Sequence, residues 1–246
     1  MADTLMWRST SRFHDWKDGE FVTRLIGRAV DAGIIERVDW VKTTVVGKRC
    51  PVQIAAGPNL AAELFGKLRK GPRVQYLEAG ADGEFPWTLH LLLSPYDEVR
   101  QVVDGMAVCA LQFDGAGFAE PAPSKVLAEA FRSVHTPDDT EYAGMHWLDR
   151  WDGLNDTVYN PAVTYTPMFS GVMWANFFGP GHIDQFDEAV LHTLPAGHCS
   201  WVGERGLFLI DDASLAAIRE PKAEDRLAEL TAIFRSARRN TQGGPP

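Results

Sequence analysis

The residue types best suited to contact chemistry are concentrated between Met145 and Asp156, where tryptophan alternates with aspartate. Trp147, Asp149, Arg150, Trp151, Asp152 and Asp156 fall there. Trp and Arg are enriched at binding hot spots, and surrounding carboxylates steer a basic partner toward them. Asp138, Asp139 and Glu141, just upstream, read as an acidic rim to the same surface. Between Thr136 and Val190, nine acidic residues face Arg150 alone, so about -8 of the chain's net -9 sits in this stretch. The competing reading is a solvated loop whose tryptophans turn inward, because large aromatics are usually core. The run Trp174–Phe178 reads as core on hydrophobicity.

Catalytic signatures are weak. His146 and Asp149 are three residues apart and share a face only on a helix; His182 would complete a metal site with them in space. His182–Asp184 and Asp187–His192 have spacings of two and five, which put neither pair on one helical face. Asp184 and Asp187 are better read as favouring a helix start. Gly115-Ala116-Gly117 follows a strand, but Glu120 stands where a dinucleotide fingerprint needs a small residue. Gly47-Lys48 and Gly66-Lys67 lack the glycine and hydroxyl residue of a phosphate loop, and Ser170 has no nucleophile-elbow context. No Cys-x-x-Cys pair is present. Cys109 reads as core, and Cys199 and its neighbour His198 point to opposite faces of a strand. The expectation is a chain with no cofactor, no resident metal and no enzyme activity.

Composition narrows the classes further. At 246 residues, 45% hydrophobic and 23% charged, the chain is globular and needs no disulfide staple. Its three scattered cysteines, Cys50, Cys109 and Cys199, fit reduced thiols in the cytoplasm. A net charge of -9 opposes non-specific nucleic-acid binding. The apolar runs are far shorter than the ~20 residues of a membrane span. Asp3, Arg8, Arg12 and Asp15 leave no apolar leader at the N-terminus, so no secretory signal is expected.

The elements that must position these residues follow from periodicity. Helices are predicted over Glu20–Val38, Pro58–Lys70, Ser124–His135 with Ser124 as cap, Ile183–Leu191 and Glu224–Arg238. Strands are predicted at Trp40–Val46, Arg73–Leu77, Trp87–Leu93 and, less regularly because of Pro161, Val158–Tyr165. Asp104-Gly105 predicts a hairpin between Val99–Val103 and Met106–Phe113, and Gly203–Gly206 one between Cys199–Val202 and Leu207–Ile210. The fold class is α+β, a mostly antiparallel sheet with helices packed on it. It reads as one domain over 1–239, or two lobes of about 1–135 and 136–239, with a disordered tail at 240–246. The two hairpins, each beside a helix, leave a diverged internal duplication open.

The run Phe169–His182, the later Leu194-Pro195 and the Gly206–Ile210 strand resemble bacterial immunity proteins, the cytoplasmic antidotes to polymorphic or type VI secreted toxins. In such families a Trp-x-x-Phe/Tyr-Leu/Phe-Gly segment precedes a helix, a Leu-Pro turn and a strand. The similarity spans roughly Phe169–Asp211. It implies tight binding to a cognate toxin, often a nuclease with a basic cleft, and no catalytic residues. A cytoplasmic antidote with a basic protein partner, and without nucleic-acid or membrane partners, is the leading expectation. A metal-assisted hydrolase using His146, Asp149 and His182 is the alternative, and a structural component of a phage or secretion particle the third.

Overall fold

A computed structural model describes residues 3–12, 19–44, 46–68, 75–94, 106–150, 171–194, 198–211 and 214–237. The strands are β1 (Thr4–Arg12), β2 (Arg37–Thr43), β3 (Cys50–Ala55), β4 (Gln75–Ala81), β5 (Trp87–Ser94), β6 (Met106–Asp114), β7 (Thr140–Trp147), β8 (Ala175–Phe178), β9 (Cys199–Val202) and β10 (Gly206–Ile210). The helices are α1 (Glu20–Asp31), α2 (Leu60–Gly66), α3 (Pro121–Val134), α4 (Pro180–Ile183), α5 (Glu188–Leu191) and α6 (Pro221–Ala237). All ten strands form one sheet in the order β3-β2-β4-β5-β6-β1-β7-β8-β10-β9, and every pairing is antiparallel. The fold is therefore α+β, as the hairpin-linked strands imply. The first strand of the chain lies at the centre, between β6 and β7, so strands from both halves share one unbroken sheet.

Alternation in β1 sets the layers. Leu5, Trp7 and Ser9 face one side, and Met6, Arg8 and Thr10 the other. Helix α3 covers the first side: the Trp7 and Phe131 rings lie 5.5 Å apart, and Trp7 Nε1 donates to His135 Nε2 at 3.1 Å. Helix α6 covers the second side over β8, with Phe234 stacked on Phe178 at 4.8 Å. Trp174, Ala175, Asn176, Phe177 and Phe178 are all at most 1% exposed, as their hydrophobicity predicts. Arg226 holds α6 to the end of β10 through a bidentate pair with buried Asp211, at 2.8 and 2.6 Å.

Several boundaries differ from the periodic pattern. Helix α1 ends at Asp31, not Val38, because Gly33 takes φ +72° and closes the helix. Gly33 N donates to Val30 O and Ile34 N to Ala29 O, both at 2.9 Å, which satisfies the orphan carbonyls. Ile34 and Ile35 remain buried as anchors of this turn. Gly33→Ala should lower stability by about 1 kcal/mol, since a Cβ is strained at that φ, and Gly33→Asn by less; urea midpoints measure both. Helix α2 stops at Gly66, before Lys70. Helix α3 starts at Pro121 rather than at Ser124. Ser124 instead ties two loops together, donating to Phe118 O at 2.7 Å and accepting from Leu215 N at 3.1 Å. The predicted helix Ile183–Leu191 is two single turns, α4 and α5; Asp187 caps the second by accepting from Ala189 N. Helix α6 begins at Pro221. The edges of β6 pair with β5 and β1. Its predicted partner Val99–Val103, the turn Asp104-Gly105, the strand Val158–Tyr165 and the tail 240–246 lie outside the described residues.

Candidate binding cleft

At one end of the sheet, the end of β4, the start of β5, the end of β6 and the start of β1 come together. In-register pairing forms a buried row across this end: Ala81, Trp87, Phe113, Leu5 and Trp147. Beside it opens a cleft of about 540 Å³, within the range of ligand and side-chain pockets. Trp87, Phe113 and Phe118 supply its apolar wall, with Phe113 and Phe118 edge to face at 5.6 Å. The β4–β5 turn supplies Asp82, Glu84 and Phe85, and Glu36 and Asp114 complete the lining. Phe85 is 63% exposed, the largest exposure of any big apolar side chain among the described residues. Four carboxylates against one guanidinium, Arg37, leave three formal negative charges among the lining side chains, and Arg49 from outside the lining pairs with one of them, Asp82, at 3.8 Å. Arg37 is itself drawn to Asp39, with Nε–Oδ1 at 3.0 Å. An exposed aromatic ringed by carboxylates is suited to a basic protein surface: the ring supplies buried area and the charges speed encounter.

The residues singled out in the sequence divide between opposite ends of β7. Asp138, Asp139 and Glu141 lie at its start, and Asp149 lies in a 3-10 turn after its end. Seven strand steps separate those ends, roughly 24 Å, so these residues do not form one surface. Asp149 is exposed and shares the sheet end that carries the cleft. Trp147 is not available for contact. It is 2% exposed, donates from Nε1 to Leu215 O at 2.9 Å, and lies under Arg219, whose guanidinium carbon is 4.0 Å from the ring centroid. Trp151, Asp152 and Asp156, and the side chain of Arg150, lie outside the described residues. The rim is also less negative in space than in sequence. Arg12 pairs with Glu141 at 2.5 Å, Arg24 with Asp139, and Arg205 with Asp184 at 2.6 Å. Asp138 stays exposed.

The metal alternative does not assemble. Among the described residues no three His, Cys, Asp or Glu side chains converge to hold an ion, and His146, Asp149 and His182 are part of that set. His146 Nδ1 accepts from Trp147 N at 2.8 Å, and His182 Nδ1 donates to Glu141 O at 3.0 Å. Burial lowers the His182 pKa to about 4, against the backbone hydrogen bond to Glu141, so this imidazole is neutral at physiological pH. Cys109 is core, and burial pushes its thiol up to about 12; Cys199 rises to about 11 for the same reason.

A polar cluster that sequence reading did not isolate lies across β2, β4 and β5. Lys42 Nζ donates to Glu78 Oε2 at 3.1 Å, Tyr76 donates to Glu78 Oε1, and Tyr76 OH lies 3.0 Å from His90 Nδ1. Burial disfavours the Glu78 carboxylate, but the hydrogen bonds from Tyr76 and Lys42 outweigh it and hold Glu78 below its ordinary value. Burial first, then Lys42 and Arg49, lower His90. Each group is satisfied by another, which is the arrangement of a structural network.

No protein-family model matches the chain, and no curated protein matches it in sequence. The fold is similar to that of the Pseudomonas aeruginosa T6SS protein PA0821, with a TM-score of 0.54 at 15% identity. The likeness covers 99% of this chain and 77% of that one, and at this identity it shows the fold. No helix among the described residues is long and apolar enough to cross a membrane.

Proposed function

We propose that this chain is a cytoplasmic immunity protein of a type VI secretion system, acting by binding rather than catalysis. In this reading it neutralises a basic protein toxin, a nuclease being the class that best fits its charge. The observation that carries the reading is the cleft: four carboxylates around Trp87, Phe113 and the exposed Phe85. The fold likeness to a type VI secretion protein supports the context, and the net charge of -9 supports capture of a cationic partner. Docking takes place at the β4–β5 end of the sheet, with Asp149 at its margin and Phe85 as the anchor.

The test is affinity capture from the source organism's lysate at low salt, followed by mass spectrometry. Wild type should retain one basic protein near one to one, release it on raised salt, and block that protein's toxicity at equimolar ratio. Phe85→Ala combined with Asp82→Asn and Glu84→Gln should weaken retention by roughly a hundredfold, two tenfold steps, as expected for an anchor plus its steering charges. Equal retention by wild type and the triple variant would remove the cleft from the interface. A retained protein whose toxicity is untouched would remove the immunity reading.

A further inference from the structure

Arg8 stands at the centre of the sheet, on the side that α6 covers over β8. Its in-register neighbours are Ala110 on β6 and Gly144 on β7, which extend no charge toward it. Along β1 it is flanked by Met6 and Thr10. The diagonal positions hold Val108 and Gln112 on one side, and Tyr142 and His146 on the other. None of these eight positions carries a carboxylate. The Arg8 Nε is fully buried and makes no hydrogen bond.

Most arginines among the described residues are paired. Eight other arginines each reach a carboxylate: Arg12, Arg24, Arg28 and Arg37 in the first part of the chain, then Arg49, Arg205, Arg219 and Arg226. A buried guanidinium donor without an acceptor is strongly unfavourable, because its lost hydration is not replaced. Burial accordingly lowers the Arg8 pKa, while Tyr142 raises it. Arg8 as a residue is only half-buried, which leaves an outside acceptor a path to the guanidinium beside the buried Nε.

We propose that Arg8 is the receiving group of a binding site for a small oxyanion, a phosphate or a carboxylate, held by the guanidinium fork on the sheet face. On β7 the Met173 thioether and the Tyr142 hydroxyl fill the space above Gly144, so the row is open only on the β6 side, where Ala110 is half-buried. The phenol of Tyr142, whose pKa burial raises, stays neutral and does not repel the anion. This site is independent of the acidic cleft, which would repel the same ligand.

The experiment follows the Arg8 Nε–H resonance of the full chain, labelled with nitrogen-15 at arginine, during titration with inorganic phosphate or acetate. Sodium chloride at matched ionic strength is the reference. A saturable shift of this resonance with phosphate or with acetate, beyond that in chloride, is the expected result, and the more effective of the two identifies the anion geometry. Melting temperatures supply the second readout. The same anion should raise the melting temperature of wild type and leave Arg8→Met unchanged relative to chloride. Arg8→Lys, which keeps the charge but not the fork, should bind roughly tenfold more weakly. The absence of a saturable shift with both anions overturns the proposal, and so does an equal thermal response in wild type and Arg8→Met. If Arg8→Met does not fold, Arg8→Lys and the wild-type resonance decide it.

Discussion

Replacing Gly179 with alanine is expected to destabilise the protein by about 4 kcal/mol or more, the range reserved for severe local disruption. Gly179 links β8 to α4 and lies against the start of β7. Its N–H donates to Glu141 O at 2.9 Å. A Cβ built there would overlap the carbonyl oxygen of Thr140, and would sit 2.9 Å from Glu141 O and 3.0 Å from Glu141 Cα. All three are backbone atoms of a central strand, so no side-chain rotation relieves the clash. Either β7 moves, disturbing its register with β1, or α4 detaches and uncovers Phe178 and Phe186. Gly117→Ala is the matched control: nothing lies within 4 Å of its Cβ position. That substitution should be neutral or stabilising by up to about 1 kcal/mol, through the unfolded chain. Urea midpoints for the two variants should therefore differ widely. Similar midpoints would mean that the β7–α4 junction is loose enough to absorb a methyl group.

The fold was legible where a residue's environment is local. The apolar run Trp87–Leu93 and the Gly203–Gly206 turn located β5 and the β9–β10 hairpin because strand hydrophobicity and turn chemistry act within a few residues. The same locality explains the overrun at α1: Ile34 and Ile35 continue the apolar spacing, and only the left-handed backbone of Gly33 ends the helix. Trp147 shows where local reading fails. Beside Asp149 and Arg150 it reads as surface, but β7 pairs with β1 at the sheet centre, and position 147 falls opposite Leu5 on the buried side. The charge count overstates the unpaired charge for a related reason. The acids between Thr136 and Val190 meet Arg12, Arg24 and Arg205, which lie outside that window and reach it only through the fold. The cleft draws Glu36 from the α1–β2 connection, Asp82, Glu84 and Phe85 from the β4–β5 turn and Asp114 from the end of β6, segments separated by dozens of residues. Its one linear trace was Asp82–Pro86, an acidic turn carrying a phenylalanine that no core position requires.

Stability should fall as pH drops below about 6.5, the ordinary histidine value, because two imidazoles are buried in their neutral forms. His182 lies between Tyr142 and Phe178, with ring centroids 5.1 and 6.2 Å away, and donates from Nδ1 to Glu141 O. Burial lowers its folded pKa to about 4. His135 is held well below its ordinary value, first by burial and then by Arg24. Its Nε2 must keep a lone pair to accept from Trp7, so protonation breaks that hydrogen bond. Between the folded and unfolded pKa values the unfolded chain binds more protons, so stability is complete above the unfolded value and is lost as pH falls toward the folded one. For His182 the interval from 6.5 to about 4 corresponds to roughly 3 kcal/mol. His135 adds to the same loss. Urea midpoints of wild type should therefore decline from neutral pH toward pH 4. His182→Gln, which keeps a donor for Glu141 O but cannot take a proton, should start lower and decline less. Parallel slopes for wild type and His182→Gln would show that this imidazole is not buried in its neutral form.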